Sequence, residues 1–128
     1  MRLVHEPASG ADSDTRGDDR RSAAALATTV ELADSIPRQL RGLMFRRSLP
    51  DDYALAFRFD AAKPRDVHML FVFVPLDVVW VVDDEVTRVE RLRPWRGFAR
   101  ERADLIVECP AGAAADVEPG DRLVLEDD

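Results

Sequence analysis

Large apolar side chains at Tyr53, Leu55, Phe57 and Phe59 alternate with small or charged ones at Ala54, Ala56 and Arg58. A period of two is that of a strand lying with one face on a core. Residues 28–33 alternate in the same way, and 105–109 form another apolar stretch that ends before Pro110. The runs 67–74 and 76–82 are apolar almost throughout and are parted by Pro75. Continuous runs of that length, rich in Val, Phe and Trp, fit strands buried on both faces with a break at the proline. Asp83-Asp84 reads as a tight turn and 85–92 as the returning arm of a hairpin. Residues 93–97 read as a loop, 118–121 as a turn, and 2–5 and 122–125 as short strands near the two ends.

One stretch has the helical period. Ile36, Leu40, Leu43 and Met44 fall at i, i+4, i+7 and i+8 behind Ser35 and Pro37, an N-cap and a first-turn proline, which predicts a helix over 35–46. Residues 111–117 suit a short helical turn. Residues 7–22 hold no large apolar side chain, cannot offset the entropy of being ordered, and are expected to form a mobile loop or tail. The pattern as a whole predicts a mainly β (α+β) fold: an antiparallel β-sandwich or jelly-roll-like barrel of six or seven short strands, with one or two short helices packed on it. Its expected division is an N-terminal strand and acidic, polar loop over 1–22, a single β-rich domain over 23–125, and an acidic tail at 126–128.

With 128 residues and 46% hydrophobic content the chain is long enough for one domain with its own core. The longest apolar stretch, 67–82, is broken by His68, Pro75 and Asp77, so no membrane span is expected. Residues 1–6 lack the apolar centre of a secretory signal, which points to a cytoplasmic location. A formal charge of −7 argues against generic nucleic-acid binding. That charge is unevenly placed: 38–102 carry thirteen bases against ten acids, and 104–128 eight acids against Arg122 alone. A local anion site in the arginine-rich middle therefore stays open. Acid clusters such as Asp51-Asp52 and Asp83-Asp84-Glu85, with Lys63 as the sole lysine, suit a protein kept soluble at high salt, so a halophilic source is expected. Cys109 is the only cysteine, which excludes an intrachain disulfide and a multi-cysteine metal site. A monomer with no metal or other cofactor is expected.

The blocks 30–35 (Val-Glu-Leu-Ala-Asp-Ser), 41–46 (Arg-Gly-Leu-Met-Phe-Arg), Val67-His68-Met69, 75–79 (Pro-Leu-Asp-Val-Val), Pro110-Ala111-Gly112 and Gly120-Asp121 occur in the order and spacing of the domain of unknown function 192 (DUF192) family. The chain resembles that family, and a haloarchaeal member of it, across about 23–125. The resemblance implies a compact, mainly β domain of jelly-roll or sandwich type and no assigned activity. The sequence departs from the family at 70–74, where a polar pair or a methionine is replaced by Leu-Phe-Val-Phe-Val, and at Cys109, where an apolar residue is usual.

Asp77 opens an apolar strand, so its carboxylate must be exposed or hydrogen-bonded. It either accepts from a ligand or, the favoured reading, caps neighbouring N–H groups and pairs with an arginine such as Arg41. His68 could act as a base beside Asp77, but no nucleophile motif accompanies it. Met44, His68 and Met69 include soft metal donors, although thioethers are ordinary core fillers. Arg38, Arg41, Arg46 and Arg47 flank the helix and could clamp an anion, and Trp95 beside Arg93 and Arg96 could stack on a sugar or base. The sequence thus points to a non-enzymatic module binding a small polar molecule or a protein. Its candidate ligand residues are Arg41, Met44, His68, Met69 and Asp77, in a cleft between the 35–46 helix and the strands around 68–77. The alternatives are a hydrolase-like enzyme using His68 and Asp77, and a structural protein acting through its acidic C-terminus.

Overall fold

The computed structural model describes residues 1–8, 24–33, 43–44 and 46–126. They contain β1 (Arg2–Glu6), β2 (Ala24–Ala27), β3 (Thr29–Leu32), β4 (Tyr53–His68), β5 (Leu76–Val82), β6 (Glu85–Leu92), β7 (Phe98–Pro110) and β8 (Arg122–Glu126). All eight belong to one sheet in the order β2-β1-β8-β6-β5-β7-β4-β3. Pairing is antiparallel except between β3 and β4, which run parallel with Thr29 opposite Tyr53 and Leu32 opposite Ala56. The strands at the two ends of this order, β2 and β3, are consecutive in the chain and separated only by Thr28. The sheet therefore curls until its two margins meet in one stretch of chain. Asp52 holds that junction, its side chain accepting from the Thr28 and Thr29 hydroxyls at 2.6 and 2.7 Å.

The alternation in 53–59 sorts side chains between two cores. Ala54 and Ala56 face the inside of the curl with Leu3, Ala27, Val79, Val81, Val107 and Leu123, where small residues leave room for tight closure. Tyr53, Leu55 and Phe57 face the other side and pack with Val78, Trp80, Leu92, Ile106 and Met69. Leu43, Met69 and Val72 join that second core from connecting segments, with Met44, Leu49 and Val74 packed against it. Arg58 faces Leu105 and Lys63 faces Ala103, so β4 advances five residues where β7 advances two, and the irregularity bends the ribbon. The outer arms of β4 and β7 fold back over the central strands: Val67, Ala99 and Ala103 join the core of Trp80 and Ile106, and Arg88 of β6 donates to the Arg100 carbonyl at 3.1 Å. Arg65 fastens the bend, stacking 3.7 Å over the Phe59 ring and donating to Ala61 O at 2.8 Å and Ala103 O at 3.3 Å.

Several sequence expectations need correction. Among the described residues the architecture is a single mixed sheet bent on itself, with no second stacked sheet. Residues 63–66, which the Lys-Pro-Arg-Asp sequence predicts to be a loop, are strand, because beyond Ala56 one edge of β4 is unpaired by β3 and a proline is tolerated there. Residues 69–75 connect β4 to β5 and are not strand. No helix occurs among the described residues: Leu43–Met44 form a turn, and 111–116 are turns with bonds such as Ala113 N to Pro110 O at 3.0 Å. The rest of the predicted 35–46 helix, Arg46 apart, and of the mobile segment 7–22 beyond Ala8, lies outside the described residues. The Asp83-Asp84 turn is as read, with φ of 49° and 67°, the left-handed pair of a tight hairpin. Among the described residues no helix is long and apolar enough to cross a membrane.

Candidate functional site

Asp77 is a buried carboxylate that accepts four hydrogen bonds among the described residues. It leads β5 on the face opposite Leu76 and Val78, opposite Cys109 on one neighbour and Arg91 on the other. Arg91 donates through Nε to Oδ1 at 2.8 Å and through Nη2 to Oδ2 at 3.4 Å. The backbone N–H groups of Gly112 and Ala114 donate to Oδ2 at 2.9 and 3.1 Å. Gly112, at φ +98°, supplies the left-handed turn that aims both amides back at β5. The carboxylate is 2% exposed and holds the 110–114 turns against the sheet. Its arginine partner is Arg91, whereas Arg41, with Arg38, lies outside the described residues.

The other candidates separate. Met69 is fully buried in the outer core, and Met44 is partly buried against that same core. The sheet stands between them and Asp77, so the three do not share a cleft. His68 is exposed at the end of β4, opposite Phe98, and its Nδ1 accepts from Leu70 N–H at 3.3 Å. No hydrogen bond or ion pair joins it to Asp77 among the described residues, so the acid–base pair of the hydrolase alternative is not assembled. The Cys109 thiol, donating to Asp77 O at 3.5 Å, is pushed up to about 12 by burial, then by Asp77 and Glu108, which closes it to nucleophilic chemistry. No group of three or more metal-ligating side chains occurs among the described residues.

A second buried lock escapes sequence reading. His5 Nε2 lies 2.7 Å from Asp121 Oδ2, while Ala8 N–H and Glu118 N–H donate to the same carboxylate at 2.9 Å each. Burial works to raise the Asp121 carboxyl, but the bonds from His5, Ala8 and Glu118 outweigh it and hold the group below its ordinary value. The pair ties β1 to the turn before β8. Its members are 116 residues apart, a separation no local motif signals.

What the structure does assemble is an apolar corner with arginines around it. Leu70, Phe71, Trp95 and Phe98 are 49, 38, 47 and 54% exposed, and all belong to the 69–75 connection or to the 93–98 segment beside it. The two segments are stitched together: Met69 N donates to Gly97 O at 2.9 Å, and Trp95 N to Met69 O at 3.0 Å and Val72 O at 3.2 Å. Gly97 is required there, since a Cβ would stand 2.7 Å from Leu92 Cβ and 2.8 Å from Met69 Cγ. Phe71 and Trp95 sit at φ of 62° and 67°, a left-handed backbone that bulky residues rarely adopt. Each such residue stores about 1–3 kcal/mol of strain. Their rings meet edge to face at 5.2 Å, Phe73 adds a tilted contact to Trp95 at 5.6 Å, and the Arg47 guanidinium stands 5.6 Å from the Phe73 ring. No acid occurs in 67–76 or 91–98, which contribute Arg91, Arg93 and Arg96. Elsewhere, an open groove of about 590 Å³ near the β5–β6 turn is rimmed by Asp83, Asp84 and Asp104 over Phe59, Leu105 and Leu125, and contains none of the candidate residues. Sequence reading finds Trp95 in its Pro/Gly loop and misses Leu70 and Phe71, because long apolar runs are read as buried, and Phe98, which no local pattern marks.

Residues 19–125 match the model of the DUF192 family, described as an uncharacterized ACR. The chain is 32% identical over 100 residues to a UPF0127 protein of Thermococcus gammatolerans and 31% identical over 100 residues to UPF0127 protein TK1120 of Thermococcus kodakarensis. Each match covers 73% of this chain, and the chain spans 64% and 62% of the length of these two curated relatives. Both relatives are from Thermococcus rather than from haloarchaea. Among solved structures, a Sinorhizobium meliloti protein described as a proposed transcription regulator superposes with a TM-score of 0.77 at 28% identity, over 96% of this chain and 91% of that one. A Novosphingobium aromaticivorans protein of unknown function superposes with a TM-score of 0.78 at 21% identity, over 98% and 84% of the two chains, and shares the fold.

Proposed function

We propose, starting from the chain's membership of the uncharacterised DUF192 family to which it belongs, that it is a non-enzymatic recognition module whose ligand docks on the Leu70, Phe71, Trp95 and Phe98 corner. The observation that carries this reading is that, among the described residues, the large apolar side chains most exposed are gathered in two stitched segments. Isolated exposed apolar residues are ordinary, but a cluster of them marks a contact surface. Two of the four are aromatic residues held in strained backbone, which the fold sustains without a gain in burial. Aromatic and arginine side chains are also the types that dominate binding hot spots. His68 belongs to this surface through its place beside Phe98, and Met44 and Met69 act beneath it as supporting core. Asp77 contributes by holding the fold in shape. Arg41 belongs to the proposal only as one further cation of the 41–47 segment.

The two tryptophans give a direct test, because Trp80 is wholly buried and Trp95 is half exposed. Titration of the 15N-labelled chain with aromatic carboxylates, monosaccharides and mononucleotides is expected to move the Trp95 indole N–H resonance and the amides of 68–75 and 93–98, leaving the Trp80 indole in place. Shifts confined to the acidic groove at Asp83, Asp84 and Asp104 would overturn the assignment.

A further inference from the structure

We infer that the partner taken by this corner is a short acidic polypeptide segment carrying apolar side chains, an inference that rests on the corner being the binding surface. Three features support it. The corner is apolar at its centre, with Phe71, Phe73 and Trp95 in mutual contact. Its rim is cationic: Arg93 and Arg96 are exposed and their guanidinium groups have no hydrogen bond or ion pair among the described residues, and Arg47 rests on the Phe73 ring. Arg100 beyond Phe98 is engaged with Asp66 at 3.0 Å and is left out of the count. The third feature is the contrast with the whole chain, whose net charge is −7.

Together these set the size of the anion as well as its sign. A long polyanion, such as a nucleic acid strand or an anionic bilayer, reaches past the arginine rim and meets the field of an acidic protein, where binding by counterion release has nothing to work with. A peptide segment confines its few carboxylates to the rim. Its apolar side chains then lie on Leu70, Phe71, Trp95 and Phe98, and its carboxylates take the forked guanidinium donors of Arg93 and Arg96, which recognise a carboxylate in bidentate fashion. Electrostatic complementarity of this kind selects the partner's sign, while the aromatic centre supplies most of the affinity.

The experiment is fluorescence anisotropy on the full chain with a fluorescein-labelled dodecapeptide alternating aspartate with leucine and phenylalanine. Controls replace the aspartates by asparagine or by lysine. Vesicles containing phosphatidylglycerol and a twelve-base oligothymidylate are run as competitors. The aspartate peptide is expected to bind at least about tenfold more tightly than the asparagine peptide, to weaken about tenfold in Trp95→Ala, and to weaken with added salt. In the Arg93→Gln, Arg96→Gln double variant, the two peptides are expected to become equivalent. Equal binding of both peptides to the unmodified chain overturns this inference; if Trp95→Ala still weakens both, the corner remains the binding surface. Peptide binding that Trp95→Ala leaves unchanged overturns the inference and the corner together. Tighter binding of the vesicles or the oligonucleotide than of the aspartate peptide, or no binding of any peptide, also overturns the inference. Melting curves of each variant establish that it is folded before its affinity is read.

Discussion

Replacing Asp77 by alanine is expected to lower stability by about 3 kcal/mol, because several groups lose one acceptor together. The Ala114 amide is buried and, without Oδ2, has no partner to replace it. An unsatisfied buried donor of this kind typically costs about 1–3 kcal/mol. The Gly112 amide is exposed and can turn to water, and the Arg91 side chain, 57% exposed, recovers much of its solvation, so the ion pair itself contributes modestly. For a chain of this size the loss corresponds to a fall in melting temperature of about 10 °C. Asp77→Asn keeps one carbonyl oxygen for the two amides and turns its NH2 group toward Arg91, so it is expected to fall between wild type and alanine. Thermal unfolding followed by circular dichroism checks both. A melting temperature within about 2 °C of wild type for the alanine variant would contradict the locking role.

The second large effect concerns pH. Glu108 of β7 lies between Leu55 of β4 and Val78 of β5, on the face of the outer core, and is buried. Burial alone, with no opposing interaction among the described residues, raises its carboxyl from an ordinary 4.5 to about 7. The sign follows from proton linkage. The folded chain holds this proton more tightly than the unfolded one, so the group's contribution is fully present below pH 4.5 and is lost as pH rises through about 7. The amount at stake is on the order of 3 kcal/mol. Glu108→Gln removes the titration, so the decline in stability between pH 4.5 and pH 7 is expected to flatten, whatever the variant's absolute stability. The depressed carboxyls of Asp52 and Asp121 act below 3.8 and do not enter that window. Urea unfolding at a series of pH values measures the slope, and an unchanged slope in the variant would show that Glu108 is not the group responsible.

These two carboxylates mark where sequence reading succeeds and where it stops. An acid opening an apolar run has to be satisfied, and that constraint makes a structural Asp77 legible without coordinates. Its partner is not legible, since only strand register brings Arg91 opposite Asp77. Glu108 is the one polar residue of the apolar stretch 105–109, and only strand register shows that it lies between Leu55 and Val78 on the face of the outer core. The fold-back of the outer arms of β4 and β7 depends on the extra residues between Arg58 and Lys63, and the Lys63-Pro64-Arg65-Asp66 that follows looks like a loop in sequence. The strand at 53–59, the hairpin at Asp83-Asp84 and the break at Pro75 are local and were all readable. The corner is not, because hydrophobicity along the chain carries no information about which apolar residues stay partly exposed. Leu70 and Phe71 belong to the same apolar run as the buried Val67, Met69 and Val72.

The proposed reading divides the roles of two residues: Asp77 holds the fold, and the Trp95 corner is where a partner is proposed to dock. Measuring melting temperature and aspartate-peptide affinity on Asp77→Asn and Trp95→Ala, at a temperature where both are folded, separates the two roles most directly. The expected result is a lowered melting temperature with unchanged affinity for Asp77→Asn, and an affinity about tenfold weaker with a smaller change in melting temperature for Trp95→Ala. Loss of affinity in folded Asp77→Asn together with full affinity in Trp95→Ala would reverse the assignment and return the binding site to the carboxylate.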